Sequence, residues 1–200
     1  MGDLSGMDTR FQWQTQQPQE THAGSFESER LLFLERTLGL MNEDLSYAGF
    51  CRQLLIALTD AVPSAAASLF EFDGEGGVFF FRASLGQRAD HLSQIEVPIN
   101  QGVVGHVATT REGYLCPDVT TDPFHVQSVG RIVDYEARNL IAIPIVVRGR
   151  VYGVIELLDR LVLPTYTADD LNLLSVLGSY CGSLIETRLV LSYSLGRLAA

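Results

Sequence analysis

Residues 140–158 read LIAIPIVVRGRVYGVIELL, and their reading decides the fold class. Leu140 to Val147 and Val151 to Leu158 are two strongly apolar runs, rich in Val and Ile, joined at Arg148-Gly149-Arg150. Short apolar runs of this kind, bounded by a turn signal, read as strands. Upstream, Ala65 to Phe72 alternates and places Ser68, Phe70 and Phe72 on one face. Asp73 to Gly77 is a turn, and Val78 to Ser84 is the returning strand of a hairpin. Ile95 to Ile99 forms a short strand ended by Asn100-Gln101-Gly102. Val103 to Thr110 is a short helix, and Tyr114 to Cys116 a short strand before Pro117. Thr121 to Tyr135 is a polar loop with a helical turn or two.

Outside this region the period changes from two to 3.6. Phe50, Leu54, Leu55, Leu58 and Val62 make a helical stripe stopped by Pro63, with Ser46 placed as its N-cap. Leu31, Leu34, Leu38, Met41 and Leu45 form an earlier helical seam. Thr167-Ala168-Asp169-Asp170 has capping-box spacing, with Asp where Glu or Gln is usual. The helix it opens carries Leu177, Leu184, Leu191 and Leu198 seven apart, with Leu173, Tyr180 and Leu195 near the complementary positions. Heptads sustained in this way mark a dimer-forming coiled coil. Gly178, Gly182 and Gly196 weaken such a helix by about 1 kcal/mol each relative to Ala. A helix simply packed on the sheet explains Leu171 to Ile185 equally well, but explains Leu191 to Leu198 poorly.

The expectation is an α+β sandwich: a mostly antiparallel sheet of about six strands, with helices on both sides and long N- and C-terminal dimerisation helices. The chain divides into a disordered polar arm (1–26), an N-terminal dimer helix (27–45), the domain itself (46–190) and the end of the C-terminal dimer helix (191–200).

Composition narrows the function. The 200 residues are 46% hydrophobic, enough for a real core, and the formal net charge is -10. Nucleic-acid binding wants a basic surface and is disfavoured. All 14 basic residues are Arg, so Schiff-base and lysine general-base chemistry are removed. Cys51, Cys116 and Cys181 are far apart, odd in number and without a CxxC pair, which signals neither zinc nor a disulfide framework. No stretch approaches the roughly 20 apolar residues of a membrane span, and residues 1–20 lack the layout of a secretory signal. A cytoplasmic protein without a membrane partner is expected.

Four pieces, in order, resemble the GAF family of sensory and regulatory domains, which are related in fold to PAS domains. Gln101 to Ala108 resembles the family's glycine-started helix. Cys116-Pro117-Asp118-Val119 with Asp122-Pro123-Phe124 resembles its strand and "DP-aromatic" segment. Arg138 to Ile145 resembles its central strand entering a proline, and Val151 to Leu157 the glycine-containing strand that follows. The resemblance covers about Leu45 to Leu189.

The resemblance implies a small molecule held between the sheet and a helix-loop layer made of Gly102 to Thr110 and Thr121 to Tyr135. Its wall would include Phe70, Phe72 and either Phe80 or Phe81, according to register. Gly102, His106 and Asp118 lie beside it, and Phe124, His125 and Arg131 in the covering loop. The aromatic side chains either stack a planar ligand or form ordinary core. Gly102 suits a positive φ at the helix start. Gly105 suits a close approach of the helix to the sheet, and Gly153 a bulge or a close backbone neighbour.

No cofactor is required. Cyclic-nucleotide-binding members carry an Asn-Lys…Phe…Asp-Glu pattern, and Asp159-Arg160…Tyr166…Asp169-Asp170 replaces every position with a relative. A bilin needs a Cys, often followed by His, whereas Pro117 follows Cys116. Haem needs an axial His, for which His106 and His125 are the candidates. Neither has metal-ligand spacing, so no metal site is expected. The methionine-sulfoxide reductase of this fold places a Cys in the loop where this chain has Asp122 to Val126 without one.

The implied function is therefore a non-catalytic module that binds a small ligand and signals through a homodimer. An effector protein acting in trans would receive the signal. The alternative is a ligand-free scaffold that binds a partner protein, and a thiol enzyme is the third reading.

Overall fold

The computed structural model describes residues 22–87, 89–124 and 135–198. Six strands form one sheet in the order β3-β2-β1-β6-β5-β4, every neighbouring pair antiparallel. They are β1 (Ser64–Asp73), β2 (Val78–Leu85), β3 (Glu96–Pro98), β4 (Tyr114–Cys116), β5 (Leu140–Val147) and β6 (Arg150–Arg160). The helices are α1 (His22–Gly39), α2 (Tyr47–Ala61), α3 (Gly102–Thr110) and α4 (Ala168–Leu198). A 3-10 turn at Ala89–Gln94, unmarked by any periodicity, precedes β3.

Antiparallel pairing puts directly opposed side chains on the same face, so the sheet sorts the sequence into two cores. On one face Leu69, Ile141, Ile143, Ile145, Ile155 and Leu157 pack against α2 and α4. On the other, Phe70, Phe79, Leu140, Ala142 and Val154 meet Val103, Val104 and Val107 of α3, with Val119 from the loop after β4. A bulge between Leu69 and Phe70 inserts Arg82 opposite them. It turns Phe79 and Phe81 toward the α3 face while Ala83 and Leu85 stay on the α2 face. This settles the register: Phe81 belongs to the α3 side, and Phe80 lies under the Arg82 guanidinium instead.

The helix ends follow from capping chemistry. Ser46 accepts a hydrogen bond from the Gly49 N–H and starts α2. Thr167 and Asp170 cap α4 reciprocally: the Thr167 N–H donates to Asp170, and the Asp170 N–H to the Thr167 hydroxyl. Asp thus serves where the box usually has Glu or Gln.

Three expectations need correction. Helix α1 begins at His22, inside the last residues of the stretch read as a polar arm, and it stops at Gly39. Its buried face is Phe33, Thr37 and, in the following turn, Leu40, because these point toward the body of the domain. Leu31 and Leu38 are exposed and Leu34 is half-buried. The second correction concerns α4. Leu177 is fully buried in the chain's own core and Leu184 is packed against it, so Leu177 is withdrawn from any dimer contact. Only from about Leu189 onward does the helix expose Leu189, Val190, Leu191 and Tyr193; the side chain of Leu198 lies outside the described residues. Arg188 marks the change, donating to the carbonyls of Glu43 and Leu45 and lying over the Phe50 ring. Third, Gly178 and Gly182 do more than weaken the helix. A Cβ on Gly178 would stand 2.1 Å from Ile143 Cδ1, and one on Gly182 2.7 Å from the Val146 carbonyl. These glycines let α4 lie directly on β5.

Candidate functional site

The α3 face of the sheet carries the candidate site residues. Its pairing registers define rows of side chains across the strands. One row runs Pro144, Val154, Phe70, Phe81. A second runs Cys116, Leu140, Leu158, Ala66. Between them lies Tyr114, Ala142, Glu156, Ser68, Ser84. The middle row is made largely of small or polar side chains, and the rows on either side are bulkier over β5 and β6. One carboxyl stands in this middle row.

That carboxyl belongs to Glu156, which sequence reasoning passed over. It is deeply enclosed by protein, yet the residue keeps part of its accessible surface. Burial pushes its carboxyl up from the ordinary value to about 7, with no charged neighbour contributing. Ser68 donates to Ser84 at 3.4 Å, a long contact that leaves both hydroxyls capable of further bonds. The signal available in the sequence was a single acidic residue inside the apolar run VIELL; alternation assigns it to the face of Val154 and Leu158.

The rim of the site is aromatic. Asp122 accepts from the Tyr114 hydroxyl at 2.6 Å and from the Phe124 N–H at 2.8 Å, and so fixes the Asp122-Pro123-Phe124 turn. Phe124, 38% exposed, stacks on His106 with centroids 3.9 Å apart. Tyr114 meets both rings edge-on. Burial first, then the bond to Asp122, holds the Tyr114 phenol neutral above its ordinary range. Behind the rim Phe70 and Phe81 pack at 4.4 Å, with Phe72 half-buried on Phe79.

Of the residues expected in the site, Phe70, Phe72, Phe81, His106 and Phe124 share this face. Gly102 has φ 71 and starts α3, as expected of its position. Asp118 is exposed and accepts from the hydroxyl and the backbone N–H of Thr120, which lower its pKa and make it a turn-former. Gly105 faces the Ile99 carbonyl, 2.5 Å from an added Cβ, so its close approach is to the preceding turn and not to the sheet. Gly153 has the close neighbour expected, the Phe70 carbonyl at 2.0 Å from an added Cβ. His125 and Arg131 lie outside the described residues.

The end of β6 ties this face to the helices. Asp159, at φ 55, accepts from the Tyr135 hydroxyl at 2.6 Å and the Arg138 N–H at 2.8 Å. The next residue, Arg160, forms an ion pair at 3.0 Å with Asp170 in the first turn of α4, both side chains about nine-tenths buried. Arg160 also donates to the Pro63 carbonyl, and Tyr166 to Ser64. The Asp159-Arg160…Tyr166…Asp170 series is therefore a scaffold.

Among the described residues no group of three or more His, Cys, Asp or Glu side chains is arranged to hold a metal ion. Cys51, Cys116 and Cys181 are unpaired and buried. Burial pushes the Cys51 and Cys116 thiols up to about 12 and raises Cys181 as well.

The GAF domain family model matches residues 44–186, most of the chain. The chain belongs to the GAF domain family. These are sensory and regulatory modules. The GAF chain is 25% identical over 169 residues to the dual 3',5'-cyclic-AMP and -GMP phosphodiesterase 11A of Takifugu rubripes, a match covering 80% of this chain and 19% of that protein. It therefore spans under a fifth of that curated relative. Its fold is similar to the GAF domain of a phosphoenolpyruvate-protein phosphotransferase from Coxiella burnetii, with TM-score 0.71 and 15% identity over 86% of this chain and 98% of the other. It is also similar to the free methionine-R-sulfoxide reductase of Neisseria meningitidis, with TM-score 0.65 and 17% identity over 88% and 93% of the two chains. No helix among the described residues is long and apolar enough to cross a membrane.

Proposed function

We propose that this GAF domain is a non-catalytic, cytoplasmic regulatory module that binds a small molecule on the α3 face and passes its state to a homodimer. The observation that carries this reading is the double attachment at the end of β6. Asp159 holds the backbone that leads back from the ligand side, and Arg160 holds the first turn of α4. A ligand that displaces one attachment acts on the other through a single peptide bond, which is the kind of two-state element a switch requires. The dimer would form through the exposed apolar residues Leu31 and Leu38 of α1 and Leu189 to Leu191 of α4. An effector acting in trans would read the spacing or rotation of those helices.

A non-catalytic role is supported by the thiols. A thiol enzyme needs an accessible, low-pKa Cys, and all three here are buried with raised pKa. The phosphodiesterase and reductase activities are said of the relatives that carry those names.

Native mass spectrometry of the freshly purified protein tests the proposal. A dimer carrying an adduct of defined mass is the expected result; an adduct-free monomer removes both ligand and dimer. The partner-binding scaffold is the second reading, favoured by the exposed run Leu161-Val162-Leu163, at 62, 69 and 42% exposure. An adduct-free dimer would favour it.

A further inference from the structure

Beyond Ala142 the outer edge of β5 has no strand beside it among the described residues. We propose that the cavity along this edge, between Arg111 and the Ser175–Ser179 stretch of α4, binds a small carboxylate with a compact apolar body. This site is separate from the α3-face ligand and does not depend on it.

The opening follows from one proline. Strand β4 sets Tyr114 opposite Ala142, so a longer β4 would set Glu112 opposite Pro144. Pro144 has no N–H to offer it, and a proline in a sheet belongs where its nitrogen faces off the edge. The chain enters β4 instead through Arg111, at φ 61, and Gly113. Alternation along β5 identifies the backbone groups left at the edge. The Asn139 carbonyl accepts from the Asp159 N–H on the β6 side, and the Arg138 carbonyl from the Val119 N–H on the β4 side. Even-numbered residues of β5 therefore turn their backbone groups outward, the Val146 N–H included. The register shift near Val146 passes over Tyr152 of β6, so β5 keeps its own alternation.

The cavity has a volume of about 310 Å³ and is lined by Arg111, Ile143, Pro144, Val146, Ser175 and Ser179, with Gly113 adding no side chain to fill it. Small-molecule sites begin at about this size. Ile143, Pro144 and Val146 supply an apolar wall, and the polar side chains around it are donors. Arg111 donates to the Gly149 carbonyl over a long 3.4 Å and keeps the rest of its fork. It is also the left-handed C-cap of α3, a position that glycine usually takes. Ser175 and Ser179 donate to the carbonyls of Leu171 and Ser175. Those carbonyls also accept helix N–H groups, so either hydroxyl can rotate toward a ligand at little cost. No carboxylate lines the cavity, and Glu186 on the same helix is paired with Arg148 at 2.7 Å. In a chain of formal net charge -10, an acid-free cavity holding an arginine selects an anion. One guanidinium matches one carboxylate in a bidentate pair, and the apolar wall favours an organic anion over inorganic phosphate.

The test is isothermal titration calorimetry of the full chain with three probes: benzoate, benzamide and inorganic phosphate. Wild type is expected to bind benzoate at least tenfold more tightly than either of the others. Arg111→Gln is expected to abolish that preference, with circular dichroism and melting confirming its fold. Ser179→Val, which places methyl groups at the cavity wall, should weaken benzoate severalfold. Arg150→Gln removes the same charge from an exposed residue that does not line the cavity, and should leave benzoate binding unchanged. Benzamide or phosphate binding as tightly as benzoate overturns the carboxylate class. Unchanged benzoate binding by Arg111→Gln, or an equal loss in Arg150→Gln, overturns the placement. Failure of benzoate to bind wild type overturns the proposal and leaves the α3-face ligand, which the adduct mass tests, standing.

Discussion

The two faces of the sheet are built from the same strands but to different standards. On the α2 and α4 face, residues such as Phe50, Leu54, Leu58, Ile143, Ile155 and Leu157 are fully buried and purely apolar. Even the helix glycines there serve close packing. On the α3 face the helix is shorter, the rim is aromatic and partly exposed, and a carboxyl and two hydroxyls stand in one row of the sheet. Neighbouring residues of one strand, Glu156 and Leu157, fall on opposite sides of this divide. One face supplies stability, and the other carries the features of a site, at some cost in stability.

The division can be broken most severely at its hinge. Asp170→Ala leaves the Arg160 guanidinium buried without its counter-charge, and Arg160 Nε already has no hydrogen-bond partner among the described residues. A loss of about 3–5 kcal/mol in urea unfolding is expected, as for other broken buried pairs. Replacing both residues by apolar ones of similar volume should restore most of it.

Leu157→Ala tests the apolar face. Truncating a fully buried Leu costs about 3 kcal/mol through lost transfer energy and the cavity left behind, and the cost should be independent of pH.

Glu156→Gln tests the opposite face with a strand neighbour and should behave in the reverse sense. The folded-state pKa, about 7, lies above the ordinary carboxyl value of 4.5. The native state therefore binds the proton more tightly than the unfolded chain, and the stability this contributes is fully present below about pH 4.5. It is lost as pH rises through about 7. Wild type should lose on the order of 2 kcal/mol relative to Glu156→Gln across that window, once residual contact with water is discounted. A difference that does not change between pH 4.5 and 8 would mean the Glu156 carboxyl is not in a low-dielectric environment.

The smallest effect on folding is expected at the exposed end of α4. Leu191→Asp should change unfolding free energy by no more than about 0.5 kcal/mol per chain at concentrations where the protein is monomeric. Sedimentation should nevertheless move from dimer to monomer. An unchanged dimer would place the interface elsewhere.

Local signals carried much of the architecture. Strand β5 was legible to its terminal residues because an apolar run between a turn and an Asn has few alternatives. Ser46 and the Thr167–Asp170 box were legible because a cap is a contact between residues three apart. The GAF resemblance rested on such segments in order. The site was less legible. Phe70, Phe72 and the aromatic segment at Phe124 stood out by type, but the choice of Phe81 over Phe80 depended on a bulge at Arg82 that no periodicity announces. Glu156 was invisible as a site residue because its meaning lies in Ala142, Ser68 and Ser84, which come from three other strands.

The sequence by itself therefore determined the elements, their caps and the family, since these follow from residues near one another along the chain. The tertiary structure decided which leucines are core and which are free to meet a partner: Leu177 went inward and Leu191 outward, although both sit in one heptad series. It also decided that a lone acidic residue in an apolar strand, Glu156, is enclosed deeply enough for burial to raise its pKa. Burial and electrostatic environment are properties of packed neighbours, and those neighbours are distant in sequence.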